Sequence, residues 1–326
     1  MIIKKAKKGT QKKGQAKLLT FGKIFTLTLL FPVVLYVNCG IPTNDQSDLL
    51  RILPNQRKTS HFHIYTNLDE DSLDYYEHFF EGFYQYFNVE YFTIGQDKPL
   101  KVYLFKNTGS YESYARRIFK HNTFYGFYAG PKYNAIFVNR DSGLGTVTHE
   151  LVHHFVTTSF VKLSPKWIDE GIATFFEKFI GYLDQEGRLT ISFGYFSNWR
   201  FPITKMYIDR ISLNDLIYAR NPDQCAVRSF MLFLHKKGFF KSLIKQMRVQ
   251  TDDPDGLITL QRVYGKSKPQ IEQEWKSWIK SQPLDGNVFL VKRAFVKTDS
   301  QWKAWWEANK DRIYWNEKEQ IFRIRE

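Results

Sequence analysis

Two histidines and a glutamate in the stretch THELVHHF, residues 148–155, have a spacing that suits metal chemistry. If the stretch is helical, His149 and His153 lie one turn apart on one face, about 40° from each other around the axis. Both imidazoles can then reach a single zinc ion. Glu150 follows the first histidine directly, so its carboxylate can reach a water beside the metal without binding the metal itself. The spacing therefore predicts a Zn²⁺ site with Glu150 as general base.

A catalytic zinc site needs three protein ligands and one open position for water. Glu170 occurs downstream in PKWIDEGIATFFE, on the next predicted helix, and a short turn would fold it back onto the first helix. Glu177 lies two turns further along the same predicted face. It is a candidate to hold a ligand histidine from behind and fix its tautomer. A solvated glutamate on an amphipathic helix is the alternative for Glu177.

The two motifs HELVH and WIDEGIATFFE together resemble the gluzincin metallopeptidases, and more narrowly the bacterial peptidase-MA-like domains, over about residues 60–282. The resemblance implies a thermolysin-like fold with His149, His153 and Glu170 as zinc ligands. It also implies that Glu150 is the catalytic base and acid in the hydrolysis of a peptide or protein substrate.

The same resemblance implies where a substrate lies and leaves one group open. It makes the strand YNAIFVNR, residues 133–140, the sheet edge along which an extended substrate binds. Many gluzincins stabilise the oxyanion with a Tyr or His from a later helix. Tyr195, Tyr207 and Tyr218 are all candidates for that group here.

Three further histidines and the second cysteine are better explained as structural or exposed residues. His61 and His63 share a face of a predicted strand, where ordinary strand residues are favoured over a metal site. His154 points about 140° away from His149 around the helix. Cys225 lies in the apolar helical run CAVRSFMLFL, which favours a small core residue over a nucleophile.

The elements that must position these residues change in type along the chain. Strand and helix patterns alternate between residues 61 and 140, ending in a hairpin over 124–140. Helical patterns follow at 145–160, 164–183, 225–238 and 269–280, the second with Ser164 as N-cap and Pro165 at the first helical position. This order predicts an α+β domain with an N-terminal mixed sheet and a C-terminal helical half, plus a small C-terminal extension.

The first 38 residues have the form of an export signal, with eight lysines, no acidic residue, and the uncharged run IFTLTLLFPVVLYV at 24–37. Cys39 follows and is predicted to be the lipidated first residue of a bacterial lipoprotein, although Tyr36 and Asn38 depart from the usual lipobox. A plain cleaved signal and an uncleaved anchor are the alternatives. The predicted division is signal peptide 1–38, linker 39–59, metallopeptidase domain 60–282 and accessory extension 283–326.

Charge argues against nucleic acid as a partner once the signal is set aside. Of 47 Lys plus Arg, 39 remain against 33 acids, so a net charge of +14 becomes +6. No Gly-rich phosphate loop or RNA-binding aromatic signature is present. We expect an exported protein of the bacterial cell envelope, anchored to a membrane by lipid. The competing hypothesis is a non-catalytic surface lipoprotein or binding module on the same scaffold.

Overall fold

The computed structural model describes residues 43–119, 124–183, 189–194, 200–282, 312–316 and 321–324. The predicted signal, Cys39 and most of the C-terminal extension lie outside these residues. Within the described extension, β8 (Ile313–Asn316) and β9 (Ile321–Ile324) form an antiparallel pair.

A five-stranded mixed sheet forms the N-terminal half. Its strands are β1 (Asn55–Lys58), β2 (Phe62–Thr66), β3 (Leu100–Phe105), β4 (Gly126–Tyr128) and β5 (Ala135–Asn139), in the spatial order β1-β2-β3-β5-β4. The three inner strands are parallel, and both outer strands are antiparallel to their neighbours. Parallel pairing requires crossover connections, which are made by α2 (Glu70–Glu90) and α3 (Thr108–Phe119).

The helices that follow build the C-terminal half. They are α4 (Leu144–Ser159), α5 (Lys166–Phe176), α6 (Arg200–Tyr207), α7 (Leu213–Ile217), α8 (Gln224–Lys236), α9 (Phe240–Val249), α10 (Leu257–Tyr264) and α11 (Lys268–Ser281). A large aromatic core joins α2 to α4, α5 and α8, with the rings of Phe83 and Phe155 5.9 Å apart. The prediction of a mixed sheet in the N-terminal half followed by a mainly helical half is confirmed, although α1 (Thr43–Ile52) precedes the strands, α2 and α3 lie among them, and one hairpin lies among the later helices.

The predicted linker at 39–59 does not agree with the structure found from Thr43 onward. Residues Thr43–Ile52 form helix α1, and β1 pairs with β2. Leu49 and Leu53 are fully buried against the face of the sheet that carries Phe105. Two leucines four residues apart are a weak helical pattern. Such a short pattern does not distinguish a packed helix from a polar linker in the sequence alone.

The helix predicted at 164–183 is shorter than expected. It begins at Lys166 with Pro165 as its N-cap, so Ser164 does not cap it, and it ends at Phe176. Residues Phe179–Leu183 instead form β6, which pairs with β7 (Leu189–Phe193). The strand pairing and the packing of this hairpin on α2 are non-local contacts, which override the local helical pattern.

The hairpin predicted at 124–140 is confirmed, but the edge assigned to it was wrong. The strand in YNAIFVNR is β5, which lies between β3 and β4. The edge strand at this end of the described sheet is β4, and β1 is the edge at the other end. Gly130 makes the bend between the two strands with a φ of 80°, a left-handed conformation that glycine adopts without strain.

Candidate metal centre

Helix α4 brings His149 and His153 onto one face, as their spacing predicts. Their rings lie edge to face with centroids 4.7 Å apart, and their Nε2 atoms are 3.0 Å apart. Both residues are well shielded, with His149 only 8% exposed. Two ring nitrogens therefore lie close together in a largely shielded part of the molecule.

Glu170 on α5 completes a group of three ligand atoms. Its Oε2 lies 3.8 Å from Nε2 of His149 and 3.9 Å from Nε2 of His153. A tetrahedral zinc ion with ligands at about 2.0–2.1 Å separates them from one another by about 3.4 Å. Distances of 3.0, 3.8 and 3.9 Å lie around that value. Within the described residues, this is the one His/Cys/Asp/Glu group compact enough to hold a metal ion.

A carboxylate stands behind each histidine. Asp169 Oδ1 lies 2.8 Å from His153 Nδ1, and Glu177 Oε1 lies 3.0 Å from His149 Nδ1. An ionised carboxylate only accepts hydrogen bonds, so the hydrogen bond to Asp169 favours Nδ1 as the protonated nitrogen of His153, and the proximity of Glu177 favours the same in His149. In the neutral rings each Nε2 then directs a lone pair toward the other Nε2 and toward Glu170. Three electron-rich atoms that face one point repel one another, and a cation bound between them would relieve that repulsion.

The electrostatics of the group point the same way. Burial lowers the pKa of His153, but the three surrounding carboxylates outweigh this and raise it to about 10. Burial raises the pKa of Glu177, but the Arg200 guanidinium and the contact with His149 outweigh this and lower it to about 2. The carboxylates around His153 therefore favour a positive charge at this point, which either a proton on the ring or a bound metal ion supplies.

The sequence pattern identified Glu177 but not three other residues that contact the metal-binding group or Glu177. Asp169 had only its place beside Glu170 as a signal. Arg200, at the start of α6, donates from Nε and Nη2 to both carboxylate oxygens of Glu177, at 2.9 Å each. Gln224 Nε2 donates to Glu170 Oε2 at 3.0 Å. Arg200 and Gln224 are distant in sequence and carry no motif, so only the fold could reveal them.

Glu150 lies beside the group without belonging to it. Its side chain is 7% exposed, and it accepts a hydrogen bond from the backbone N–H of Tyr128 on β4. Burial raises the pKa of its carboxyl, while the neighbouring histidines oppose the rise. A shielded carboxylate with a raised pKa is well suited to accept a proton.

The edge strand β4 directs some of its backbone groups toward Glu150 rather than toward β5. On either side of β4, Ala129 N–H donates to Ala135 and Asn139 N–H donates to Tyr125, so the odd-numbered positions from 125 to 129 bond to the strand that contains β5. In an antiparallel pair the intervening residues direct their groups away from the partner strand. The backbone groups of Gly126 and Tyr128 therefore face away from β5, as the Tyr128 N–H bond to Glu150 requires.

The three tyrosines considered for oxyanion stabilisation separate in the structure. Tyr195 lies outside the described residues. Tyr207 donates from its hydroxyl to Asp223 at 2.8 Å, and Asp223 directly precedes the Gln224 that contacts Glu170. Tyr218 is 56% exposed, and its hydroxyl lies against Asp255 at the start of another helix. Tyr207 is therefore the described candidate beside the site.

The residues interpreted as structural have structural environments. His61 Nδ1 contacts Glu81 at 2.7 Å, whereas His63 Nδ1 contacts the Tyr65 hydroxyl at 2.9 Å, so these two histidines serve different partners. His154 is fully buried and contacts Gln96. Cys225 is a buried free thiol, and burial raises its pKa to about 11, which disfavours a nucleophilic thiolate.

No known protein family profile and no curated protein matches the chain. A search of the described residues for membrane spans found no helix with the length and apolar character to cross a bilayer.

Proposed function

We propose that this protein is a zinc-dependent peptidase with a gluzincin-like arrangement of its site. The observation that carries the proposal is the convergence of His149 Nε2, His153 Nε2 and Glu170 Oε2, with a carboxylate behind each histidine. Glu150 stands beside these ligands without joining them. A purely structural zinc site has four protein ligands and no use for such a base.

The donor set fits zinc by chemistry as well as by distance. Two imidazoles and one carboxylate are the ligands found in zinc hydrolases, and three ligands leave a position for water. Zinc, when bound, would polarise the scissile carbonyl and favour ionisation of a nearby water. The outer carboxylates of Asp169 and Glu177 would hold the two rings in the orientation that presents Nε2.

Glu150 performs the proton transfers in this scheme. Its carboxylate takes a proton from the water as the water oxygen attacks the peptide carbonyl carbon. The C–N bond then breaks, and Glu150 passes the same proton to the leaving amine. No bond forms between the protein and the substrate. The shielding of Glu150 supports this role because it raises the pKa of the carboxyl.

A substrate in extended conformation fits beside β4 rather than beside β5. The outward backbone groups of Gly126 can pair with a peptide, as unpaired strand edges do. The hydrogen bond from Tyr128 to Glu150 puts this edge next to the base. A peptide bound there would carry its backbone past Glu150.

The proposed location follows from the N-terminal sequence. Eight lysines, an uncharged run of 14 residues and Cys39 support export and lipid attachment at the bacterial cell envelope. Mass spectrometry of the exported protein tests this part separately. A mature chain that starts at a lipidated Cys39 is expected, and an unmodified Cys39 or a retained Met1 would contradict it.

The test of function combines metal quantification with a peptide-library assay on the wild type and on Glu150→Gln. We expect about one zinc per chain in both proteins, because Glu150 is not a ligand. Turnover should fall about 10²–10⁴-fold in the variant, the usual contribution of general-base catalysis. Glu81→Gln, which alters another glutamate in contact with a histidine, is the matched control and should retain activity.

Two outcomes would overturn the proposal. Equal turnover by the wild type and Glu150→Gln would refute the role of the base. A wild type that holds zinc but cleaves no peptide in a broad library would favour the non-catalytic binding module.

A further inference from the structure

Arg200 makes the most complete buried ion pair around the metal centre. Its side chain is among the few charged groups that are almost fully buried, with 5% of the residue exposed. Two of its N–H groups bind the two oxygens of Glu177, each at 2.9 Å. Such a planar, two-point contact fixes the orientation of the carboxylate as well as its charge.

The Arg200–Glu177 pair contacts a ligand histidine directly. Glu177, held by Arg200, contacts His149 Nδ1 at 3.0 Å. The guanidinium of Arg200 also interacts with the thiol of Cys225 in the first turn of α8. Gln224, adjacent to Cys225, donates to Oε2 of Glu170. Arg200 itself does not touch Gln224 or Glu170 in any of these bonds, so its contact with Glu177 is the one that reaches a ligand.

The Arg200–Glu177 pair also joins two helices that are separated along the chain. Glu177 is the C-cap of α5 and Arg200 is the first residue of α6, so the contact joins the two ends of the segment that contains β6 and β7. The position of Glu177 relative to His149 thus depends on a bond made 23 residues later in sequence.

We propose that Arg200 is a positioning residue that sets the metal affinity of the site by orienting Glu177 against His149. This inference rests on the zinc site of the proposed function, although it does not depend on peptide cleavage. Lysine is not equivalent at this position, since an ammonium group is a point charge without the fork that fits both carboxylate oxygens.

The experiment is a zinc titration of the purified chain in competition with a chromogenic chelator, repeated with Co²⁺ so that the absorption bands report coordination geometry. The variants are Arg200→Gln, Arg200→Lys, Glu177→Gln and the Arg200→Gln/Glu177→Gln double variant. Asp169→Asn is an independent comparison, because of the two ligand histidines it alters the contact of His153 only. Arg57→Gln is the matched control, since Arg57 pairs with carboxylates of α2 away from the site.

We expect Arg200→Gln to weaken zinc binding about 10–100-fold, the usual effect of losing an outer contact of a ligand. The double variant with Glu177→Gln should lose little more than Glu177→Gln alone, because both changes act through one contact. Arg200→Gln combined with Asp169→Asn should show about the product of the two single losses. Arg200→Lys should lie between the wild type and Arg200→Gln, with altered Co²⁺ bands.

Wild-type affinity in Arg200→Gln, or a full additional loss in the double variant with Glu177→Gln, would overturn the inference. If Arg200→Gln does not fold, Arg200→Lys is compared with the wild type instead. Zinc affinity and Co²⁺ absorption bands equal to those of the wild type in Arg200→Lys would refute the orienting role. A wild type that binds zinc but cleaves no peptide contradicts the proposed function while leaving this inference testable. Failure of the wild type to bind zinc rejects both.

Discussion

Gly145 in the first turn of α4 lies unusually close to the backbone that carries Glu177. A Cβ atom at residue 145 would stand 2.5 Å from the carbonyl oxygen of Glu177 and 3.3 Å from its carbonyl carbon. Close carbon–oxygen contacts in proteins are about 3.3 Å or longer. Gly145→Ala must therefore move the two backbones about 0.8 Å apart. No side-chain rotation relieves this contact, because it joins the Cβ of residue 145 to the backbone of Glu177.

Two opposing effects decide the result of Gly145→Ala. Alanine gains up to about 1 kcal/mol over glycine inside a helix. Overpacking of a tight contact typically costs about 1–3 kcal/mol. We expect the clash to win, with a net loss of about 1 kcal/mol in the free energy of unfolding. A displacement of about 0.8 Å would also stretch the 3.0 Å contact between Glu177 and His149, so zinc should bind about 10-fold more weakly.

Urea unfolding and the chelator-competition titration measure the two effects separately. Gly109→Ala is the matched control, because only Asn107 Oδ1, at 3.6 Å, would lie near the new Cβ in helix α3. That variant should be slightly more stable than the wild type and should bind zinc equally well. If Gly145→Ala matches or exceeds the stability of the wild type and keeps its zinc affinity, the close approach does not position Glu177 as argued.

Two further predictions concern catalysis and acid stability. A Tyr207 hydroxyl that stabilises the oxyanion predicts that Tyr207→Phe lowers kcat/KM about 10²-fold without changing the zinc content. Tyr218→Phe should leave kcat/KM unchanged, and steady-state kinetics of the two variants tests both expectations. Asp253 accepts N–H bonds from Thr259 at 2.6 Å and Ile258 at 3.3 Å; burial raises its pKa, but these bonds outweigh burial and lower it. A carboxyl whose pKa is lowered by folding stabilises the fold at pH values above its unfolded pKa of about 3.9. Asp253→Ala should therefore lower the free energy of unfolding by about 1 kcal/mol at neutral pH. The difference in melting temperature between the wild type and this variant should narrow as the pH falls below about 4.

The sequence by itself determined the helical spacing of the metal-binding group. His149 and His153 share a face because 3.6 residues per turn leaves no other arrangement for positions i and i+4. Most elements between residues 61 and 282 also follow from local patterns, such as α2, which Asp69 caps through the N–H of Ser72. The proximity of Glu170 needed only a short turn between two adjacent helices, and local reasoning was enough to predict it.

Only the tertiary structure decided which strand is the edge, where the ligand helix ends and what holds the ligands. Strand order depends on pairing between β4 and β5 and on the parallel contact of β5 with β3, which no local pattern encodes. Helix α5 ends at Phe176 because the following residues pair with β7. Arg200 reaches Glu177 because α6 packs where the fold returns to the site. Long-range contacts of this kind set the orientation of each ligand, while the spacing along α4 sets which residues can be ligands.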